Sequence, residues 1–329
     1  MSIGVVLATT ATPSGNYVDA VTRQAREAAE AGLRSVWFGQ PFGYDAAALA
    51  GIVGREVPGV EVGTSAIPIF GRHPLLVAGQ AQTAQAATHG RFHLGLALGS
   101  KAFTETAFGI PYERPIARLR EFLTALRTLL ETGGADFHGE LLSTAPTLPV
   151  GLPGADPRVP LLIGAMGPQA LRVSGELADG ILPYLAGPRA LSERIVPAVT
   201  SAAAEAGRPA PRIVAFVAGA LASDPESARA AAVRQMAFYD RIPSYQRVVA
   251  LEGAERAADL AVIGDEDTLA AAVRRYFDAG ATDVVFTQTD IAGEADRERT
   301  VRFLGTLRRD RQPAGPPQAG SADGQALAQ

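Results

Sequence analysis

Short apolar runs alternate with longer segments in which apolar residues recur at helical spacing over most of the chain. Short runs bounded by turn residues predict buried strands, and the longer segments predict amphipathic helices. The predicted strands are residues 3–8, 33–39, 60–69, 91–100, 159–166, 179–186, 212–222 and 282–290. The predicted helices are residues 16–32, 44–57, 74–90, 114–133, 168–178, 188–207, 224–241, 265–280 and 294–309. This alternation predicts βαβ units around a parallel sheet.

The number of strand–helix units distinguishes a closed barrel from an open sheet. Eight strands followed by helices within residues 1–309 fit an α/β fold of the (β/α)₈ TIM-barrel type. An open dinucleotide-binding sheet would carry a GxGxxG turn after its first strand, whereas the turn here reads TTATPSGNY. We therefore predict a closed barrel over residues 1–309.

Two segments interrupt this repeat, and one follows it. Residues 134–158 are rich in Pro and Gly and predict an insertion after helix 4 with one short strand. Residues 244–262 predict a helical insertion after strand 7. Residues 310–329 contain mostly Pro, Gly, Ala and Gln without a periodic apolar face, a composition typical of a disordered tail. The chain is thus predicted to be one barrel domain with a tail.

Composition and charge narrow the possible functions. A net charge of −4 gives no electrostatic reason to expect nucleic acid or an anionic membrane as a partner. No apolar run is long enough to predict a membrane span, and the N-terminus is predicted to be a strand rather than a signal peptide, so a cytoplasmic protein is expected. The chain has no Cys, and its four His lack the paired spacing of metal ligands, so no metal site is predicted.

The loops after the strands of such a barrel form its working face, so side chains in those loops are the candidates for chemistry. Gln40 and Tyr44 follow the second strand, His73 follows the third, Lys101 follows the fourth, and Tyr184 ends the sixth. Tyr44, His73, Lys101 and Tyr184 are candidate proton donors. His73 has the most suitable ordinary pKa. The sequence RHP around His73 also predicts the loop that starts a helix, and Lys101 is also a candidate phosphate ligand.

Two glycine-containing turns resemble anion-binding sites. IGAMGP (163–168) and LALGSK (96–101) each place small residues where a strand passes into a helix. Free backbone N–H groups at such a point suit a phosphate, because no Cβ blocks its approach. The alternative is that the glycines only make tight turns.

The third predicted strand contains four small residues in succession, Gly63, Thr64, Ser65 and Ala66, where bulky residues are usual. One interpretation is a local bulge, or a non-prolyl cis bond, that presents backbone to a flat ring lying across the barrel mouth. The other is that the small residues relieve crowding inside the barrel. Trp37, inside the second strand, is interpreted as a core residue.

Several segments together resemble the luciferase-like monooxygenase superfamily. These are SVWFGQPFGYDA, VGTSAIPIFGRHP, GRFHLGLALGS, GIPYERP, DFHGE, IGAMGPQALRVSGELADGI and VIGDEDTL. Within the superfamily they look most like bacterial oxidoreductases that use the deazaflavin coenzyme F420. The resemblance extends from the first strand to about residue 309 and implies a (β/α)₈ barrel with the cofactor ring over its C-terminal mouth.

The resemblance also implies positions for the cofactor. A non-prolyl cis peptide bond on strand three, which supports the ring in relatives, would fall at Ser65–Ala66, and the phosphate would lie at the turns after strands four and five. Gln40 stands where several sugar-phosphate-oxidising relatives carry a catalytic His, so the same base chemistry is not expected. The implied cofactor-binding residues are Gly39, Gln40, Ser65, Ala66, Ile67, Leu98, Gly99, Ser100, Lys101, Gly164, Ala165, Met166 and Gly167.

The leading hypothesis is an F420-dependent oxidoreductase that transfers hydride between the deazaflavin and a small, fairly apolar organic substrate, through reduction of an activated C=C or C=N bond. Its catalytic candidates are Gln40, Tyr44, His73 and Tyr184. The apolar substrate follows from the predicted lining by Phe42, Tyr44, Ile67, Phe70, Phe103 and Tyr184. The alternatives are an FMN-dependent two-component monooxygenase and a non-catalytic cofactor-binding barrel. Barrels of this superfamily commonly pair, so a homodimer is expected.

Overall fold

Eight parallel strands close into a barrel in the computed structural model, which describes residues 2–7 and 15–307. The predicted tail at 310–329 lies outside the described residues. The strands are β1 (Ser2–Val6), β2 (Ser35–Phe38), β3 (Glu61–Thr64), β4 (Ile67–Pro68), β5 (Phe92–Ala97), β6 (Phe137–His138), β7 (Ser143–Thr144), β8 (Leu161–Gly164), β9 (Gly180–Ile181), β10 (Arg212–Leu221), β11 (Val262–Gly264) and β12 (Asp283–Thr287).

The helices lie between these strands, as the sequence pattern predicts. They are α1 (Tyr17–Glu30), α2 (Ala46–Glu56), α3 (Pro74–Ala87), α4 (Lys101–Phe108), α5 (Pro115–Thr132), α6 (Pro168–Leu177), α7 (Pro188–Ala190), α8 (Val196–Glu205), α9 (Pro225–Met236), α10 (Pro243–Glu252), α11 (Glu266–Asp278) and α12 (Glu294–Thr306). A π-helix, Leu191–Ile195, joins α7 to α8, and 3₁₀ helices cover Tyr239–Arg241 and Ala257–Leu260. Polar side chains fix several helix starts: Asn16, Asp45 and Asp265 each accept a first-turn backbone N–H.

The order of strand pairing closes the barrel. The wall runs β1, β2, β3, β5, β8, β9, β10 and β12, and β12 pairs in parallel with β1. β4 continues the line of β3 and pairs with β5. The predicted (β/α)₈ barrel is therefore confirmed.

The insertions lie where they were predicted, but two of their details differ from the predictions. The segment after α5 forms an antiparallel hairpin of β6 and β7, not one short strand. The segment after β10 and α9 contains α10, as expected, and also β11, which pairs with the end of β10 and was not predicted. The short helix α4 was not predicted either. The sequence analysis placed its residues in the loop after the fourth predicted strand, and Thr104 is the only buried residue of the helix.

The apolar core has two layers. A small cluster fills the barrel interior and consists of Trp37, Leu162, Leu182, Val214, Phe216 and Val285. The larger cluster packs the outer faces of the strands against the helices. Trp37 is fully buried, which confirms its interpretation as a core residue.

Polar side chains close the barrel at the amino-terminal ends of the strands. The guanidinium of Arg212 donates to both oxygens of Asp283 at 2.8 Å and to Glu61 Oε2 at 3.2 Å. His93 Nε2 lies 2.9 Å from the same Glu61 oxygen. The Arg212 guanidinium thus lies between two carboxylates, so Asp283 and Glu61 each have a partner of opposite charge.

In the part of the chain that the structure describes, no helix has the length and apolar character needed to cross a membrane.

Candidate active site

A cavity of about 980 Å³ opens at the carboxyl ends of the barrel strands. Most of the residues predicted from sequence for cofactor and substrate line it. They are Gly39, Gln40, Tyr44, Ser65, Ala66, Leu98, Gly99, Ser100, Gly164, Ala165, Met166, Gly167 and Tyr184. They come from the ends of five different strands, so the barrel brings together residues that are up to 145 positions apart in the sequence, from Gly39 to Tyr184.

One side of the cavity is a backbone bulge on the third barrel strand. Gly63 pairs with His93 and Ile67 pairs with Leu96, so four residue steps on this strand lie opposite three on β5. The Ser65–Ala66 peptide bond within the bulge is cis, as the resemblance implied. Thr64 Oγ1 donates to the carbonyl of Gly95 at 2.9 Å and accepts its N–H at 2.8 Å. The Thr64 hydroxyl thus satisfies strand groups that the bulge leaves without a backbone partner.

Gly63, the first of the four small residues, is small because of its neighbour Trp37 and not because of the cavity. A Cβ built on Gly63 would overlap the indole ring of Trp37. The relief of crowding inside the barrel therefore explains Gly63, whereas Ser65 and Ala66 line the cavity. Crowding thus explains Gly63, and the predicted bulge with its cis bond is present at Ser65–Ala66, whereas the flat ring that this backbone would face stays a prediction.

The two glycine turns lie on the cavity next to each other, because their strands, β5 and β8, are neighbours. Gly99 has a φ of 76°, a left-handed conformation that favours glycine. Ser100 begins α4, and its Oγ accepts the N–H of Phe103 at 3.2 Å. Gly167 begins α6 without a side-chain cap, and a Cβ at this position would meet no atom within 4 Å. Both helices thus start at the cavity with backbone donors.

Gln40 lines the cavity, but its side chain is occupied by the loop that follows β2. Its Nε2 donates to the carbonyls of Pro41 at 2.7 Å and Tyr44 at 2.6 Å. Its Oε1 accepts from the N–H of Ala46 at 3.0 Å and from Arg72 at 3.2 Å. Two donors and two acceptor sites are all that an amide offers, so no group remains for a reacting atom. These four bonds tie the side chain to the loop after β2, an arrangement that suits a residue which positions the loop, and the catalytic role of Gln40 stays a prediction.

Three residues predicted for the site lie outside the cavity lining. His73 caps α3: its Nδ1 accepts the N–H of Leu75 at 3.3 Å, and its Nε2 lies 3.0 Å from the carbonyl oxygen of Ser143. With both ring nitrogens so placed, the helix-start interpretation of RHP is the correct one. Lys101 is exposed and faces Glu105 at 4.0 Å. Ile67 is 1% exposed and packs in the large outer core.

The predicted aromatic lining is correct only in part. Tyr44, Phe103 and Tyr184 line the cavity, whereas Phe70 is buried against Tyr112, with ring centroids 4.6 Å apart. Phe42 is 66% exposed and reaches the cavity only through its stack on Phe103.

Three tyrosines meet where β9, β10 and the second insertion converge. The ring of Tyr184 lies 5.1 Å from that of Tyr239 and 5.8 Å from that of Tyr245, both edge to face. Tyr184 Oη donates to Gln288 Oε1 at 3.1 Å. Burial, and then the nearby hydroxyl of Tyr239, raises the pKa of Tyr184 well above its usual value. The phenol therefore stays protonated and is a hydrogen-bond donor at the cavity wall.

Tyr44 is a second phenol on the cavity. Its ring stacks on that of Tyr17 with centroids 5.2 Å apart. Burial is the main cause that raises the pKa of Tyr44 above its ordinary value of 10.0. Like Tyr184, it presents a neutral hydroxyl.

Sequence reasoning missed the lining residues of the segment that follows α9 and leads into the second insertion. They are Phe238, Tyr239, Ile242, Ser244, Tyr245 and Arg247. The run YDRIPSY is an aromatic segment that follows helix α9, and its position between α9 and α11 gave no sign of how close it lies to the barrel mouth. In the described residues no group of three or more His, Cys, Asp or Glu side chains could hold a metal ion.

Comparison with known proteins is consistent with this geometry. A family model described as luciferase-like monooxygenase matches residues 1–283. The F420-dependent glucose-6-phosphate dehydrogenase of Nocardia farcinica is 29% identical over 280 residues, which cover 79% of this chain and 80% of the relative. Mycobacterial relatives described as uncharacterized are 32% identical over 206 residues, and this chain spans 61% of their length.

Solved structures share the fold. An F420-dependent secondary alcohol dehydrogenase, solved with an F420–acetone adduct, superposes with a TM-score of 0.78 at 18% identity, covering 94% of this chain and 99% of that one. The oxygenating constituent of 3,6-diketocamphane monooxygenase of Pseudomonas putida, solved with FMN, superposes with a TM-score of 0.74 at 15% identity. The superposition covers 93% of this chain and 97% of that one. The family model matches far more than half of the chain, and this protein therefore belongs to the luciferase-like monooxygenase family.

Proposed function

We propose that this protein is an F420-dependent oxidoreductase that transfers hydride between the deazaflavin and a small, mostly apolar organic substrate. The observation that carries the proposal is the cavity itself, with the backbone bulge on one side and two adjacent helix starts on another. Support also comes from the Nocardia farcinica relative, whose name gives F420 as its cofactor.

The residues of the cavity fit a planar ring with an anionic arm. Built Cβ atoms at Gly39 and Gly167 meet no atom within 4 Å, so both glycines leave open space at the cavity wall. The first turn of α6 has no side-chain cap, and its backbone N–H groups carry the positive end of the helix dipole. Ala66, beside the bulge, presents only a methyl group to a ring. The arm would lie at Gly99, Ser100 and Gly164–Gly167.

When bound, the deazaflavin supplies two-electron hydride transfer without oxygen activation. The protein's own residues then have three tasks. Leu182 and Phe216 give the cavity an apolar wall that keeps water from the reacting atoms. The bulge and the glycine turns fix the orientation of the ring. Tyr184 Oη carries a proton that it donates to Gln288 Oε1 in this structure and that it would give to a basic atom of a bound substrate by turning from Gln288.

An FMN-dependent monooxygenase is the second candidate. The Pseudomonas putida protein with FMN shares the fold, and a flavin ring and phosphate need the same kind of bulge and helix starts. The two functions differ in the reaction with oxygen, since a reduced flavin reacts with oxygen and a reduced deazaflavin does not.

Titration with each cofactor tests the proposal. We expect F420 to quench protein fluorescence with a lower Kd than FMN, and the reduced complex to consume no oxygen.

A substitution tests the proposed position of the cofactor arm. Gly167→Val places two methyl groups where the arm would lie and should weaken F420 binding at least about tenfold. Gly134→Val is the matched control, because Gly134 also has no atom within 4 Å of a built Cβ and does not line the cavity. Tight binding of FMN alone would reverse the order of the two candidates, and binding of F420 without turnover of any acceptor would favour a non-catalytic barrel. Homodimer formation and a cytoplasmic location stay predictions.

A further inference from the structure

Resting on the proposed function, we propose that the substrate is a neutral, planar molecule with several fused aromatic rings. It would lie along a row of aromatic side chains that leads from the protein surface to Tyr184 on the cavity wall. Planar molecules with fused aromatic rings are a narrower substrate class than small apolar molecules, and this class does not include sugar phosphates.

The outer part of the row is a set of four phenylalanines that we call the phenylalanine rim: Phe42, Phe103, Phe108 and Phe238. They come from three separate segments, the loop after β2, helix α4, and the turn that follows α9. Their exposed fractions are 66%, 42%, 44% and 51%, in that order. Four large apolar side chains exposed side by side are unusual on a folded surface and mark a place where something apolar binds.

The rings of the rim are arranged in contact with each other. Phe42 and Phe103 stack with centroids 5.0 Å apart and planes 13° from parallel, and Phe108 meets the edge of Phe42 at 6.1 Å. Phe238 meets Phe103 at 6.4 Å, edge to face. Phe103, Phe108 and Phe238 also line the cavity, so the rim is continuous with it.

The row continues inward from Phe238. Its ring lies 5.7 Å from that of Tyr239, which in turn lies 5.1 Å from that of Tyr184. Tyr184 forms a backbone bridge with Phe216 of β10, which places it on the barrel wall. Each step of the row falls in the 4.5–7 Å range in which aromatic rings attract one another. A ligand that contacts the rim can therefore extend along the row to the proposed proton donor.

The shape of the rim favours an aromatic ligand over an aliphatic one. Aromatic faces and edges carry opposite partial charges, so a flat aromatic molecule gains stacking and edge contacts that an alkyl chain of equal area does not. The stacked pair Phe42–Phe103 and the edge-on rings of Phe108 and Phe238 offer both kinds of contact.

The charge of the cavity favours a neutral ligand. Among the lining residues of the described chain, Arg247 is the single charged side chain, and it is exposed. The phosphate of the proposed cofactor would already bring negative charge to this cavity. A second dianionic group would have one solvated guanidinium at most as its partner, which gives little net attraction.

Binding of two neutral ketones of similar size tests the substrate class. The full chain is mixed with 9-fluorenone, which is planar and tricyclic, or with cyclododecanone, which is aliphatic, and bound ligand is measured by equilibrium dialysis without cofactor. We expect fluorenone to bind at least about tenfold more tightly than cyclododecanone. Phe103→Ala and Phe238→Ala should each raise the Kd of fluorenone about tenfold. Leu76→Ala is the matched control, since Leu76 is a 68% exposed apolar residue outside the cavity lining. The Kd of fluorenone for this variant should equal its Kd for the unmodified protein.

Equal affinity for the two ketones, or no loss of affinity in the phenylalanine variants, would overturn the proposal.

An exposed apolar rim can also be a contact between protomers. Sedimentation of the unmodified protein and of Phe42→Ala tests this alternative. If the unmodified protein is a dimer and this variant a monomer, the rim is a contact between protomers and the proposal is wrong. F420 titration of the unmodified protein separates the two proposals: fluorenone binding without F420 binding would contradict the proposed cofactor alone, and F420 binding without fluorenone binding would contradict the substrate class alone.

Discussion

The indole ring of Trp37 lies directly against the Cα of Gly63, on the neighbouring strand, and fills the space that any side chain at position 63 would need. The two residues are register partners on β2 and β3. Trp37 Nε1 donates to Ser35 Oγ at 2.9 Å, and the ring stacks on His93 with centroids 6.0 Å apart. The largest side chain in the barrel interior thus depends on the smallest residue beside it.

Gly63→Ala should therefore destabilise the protein. The added methyl group has no space unless Trp37 moves, and Trp37 is held on its other sides by His93 and by Phe216 at 5.5 Å. Overpacking of this kind costs about 1–3 kcal/mol of unfolding free energy. Denaturant unfolding measures the loss. Gly79→Ala is the control, because Gly79 is an exposed residue of α3 with no atom within 4 Å of a built Cβ, and it should be neutral or slightly stabilising. Equal stability of the two variants would contradict this account of Gly63.

The barrel could be predicted from the sequence because its signals are local and repeated. Each strand is a short apolar run, and each long helix has one apolar face, so alternation alone indicates βαβ units. Helix α4 lacks this signal. Of its eight residues only Thr104 is buried, and its two phenylalanines remain exposed, so its pattern does not show a face turned to a core. β11 is three residues long, too short for a periodic pattern to form.

Gln40→Ala should loosen the loop after β2 rather than remove a reacting group. The variant loses four hydrogen bonds that tie together Pro41, Tyr44, Ala46 and Arg72. Because the site is partly exposed, water replaces some of these bonds, and we expect a loss of about 1–2 kcal/mol in unfolding free energy.

F420 affinity distinguishes the positioning role of Gln40 from a catalytic one. A looser loop should weaken cofactor binding in Gln40→Ala, whereas removal of a catalytic group would leave binding intact and reduce turnover alone. Gln235→Ala serves as the control, since Gln235 is an exposed residue of α9 that does not line the cavity. Unchanged stability and F420 affinity with lost turnover would restore the catalytic assignment.

The site was harder to predict than the fold, because sequence position does not reveal what a polar side chain is bonded to. His73 follows a predicted barrel strand and Tyr184 ends one, and both were candidate proton donors, His73 the better of the two by its ordinary pKa. In the structure the ring of His73 lies against the backbone at Leu75 and Ser143, and Tyr184 faces the cavity. The location of the glycine turns on the cavity was predictable, because a glycine beside a helix start indicates exposed backbone at the carboxyl end of a strand.

Glu61 should make stability depend on pH in the acid range. Burial raises the pKa of Glu61, but His93 and Arg212 outweigh it and lower that pKa from 4.5 to about 2. A folded-state pKa below the unfolded value means that the carboxylate stabilises the fold above about pH 4.5 and loses this contribution as the pH falls toward 2.

Glu61→Gln should therefore be less stable than the unmodified protein at pH 7, with a difference that shrinks at pH 3. The expected loss at pH 7 is about 1 kcal/mol, because the side chain is 34% exposed and water screens part of the interaction. Urea unfolding at the two pH values measures it. The exposed pair Arg26–Glu56 supplies the control, and Glu56→Gln should change stability by a few tenths of a kcal/mol at most. A constant difference between pH 7 and pH 3 would contradict the assignment.

Tyr184→Phe tests the proposed proton donor with the smallest change in packing. The ring and its edge-to-face contacts with Tyr239 and Tyr245 remain, and only the hydroxyl that donates to Gln288 is lost. If this hydroxyl delivers the proton, kcat with an accepted substrate should fall about 10²–10³-fold, with F420 affinity and KM unchanged. Because burial raises the pKa of Tyr184 well above 10.0, turnover of the unmodified protein should show no loss from deprotonation of this group up to pH 10. Tyr245→Phe, in the same cluster, should keep most of the activity. Full turnover in Tyr184→Phe would instead assign the proton to Tyr44 or to solvent.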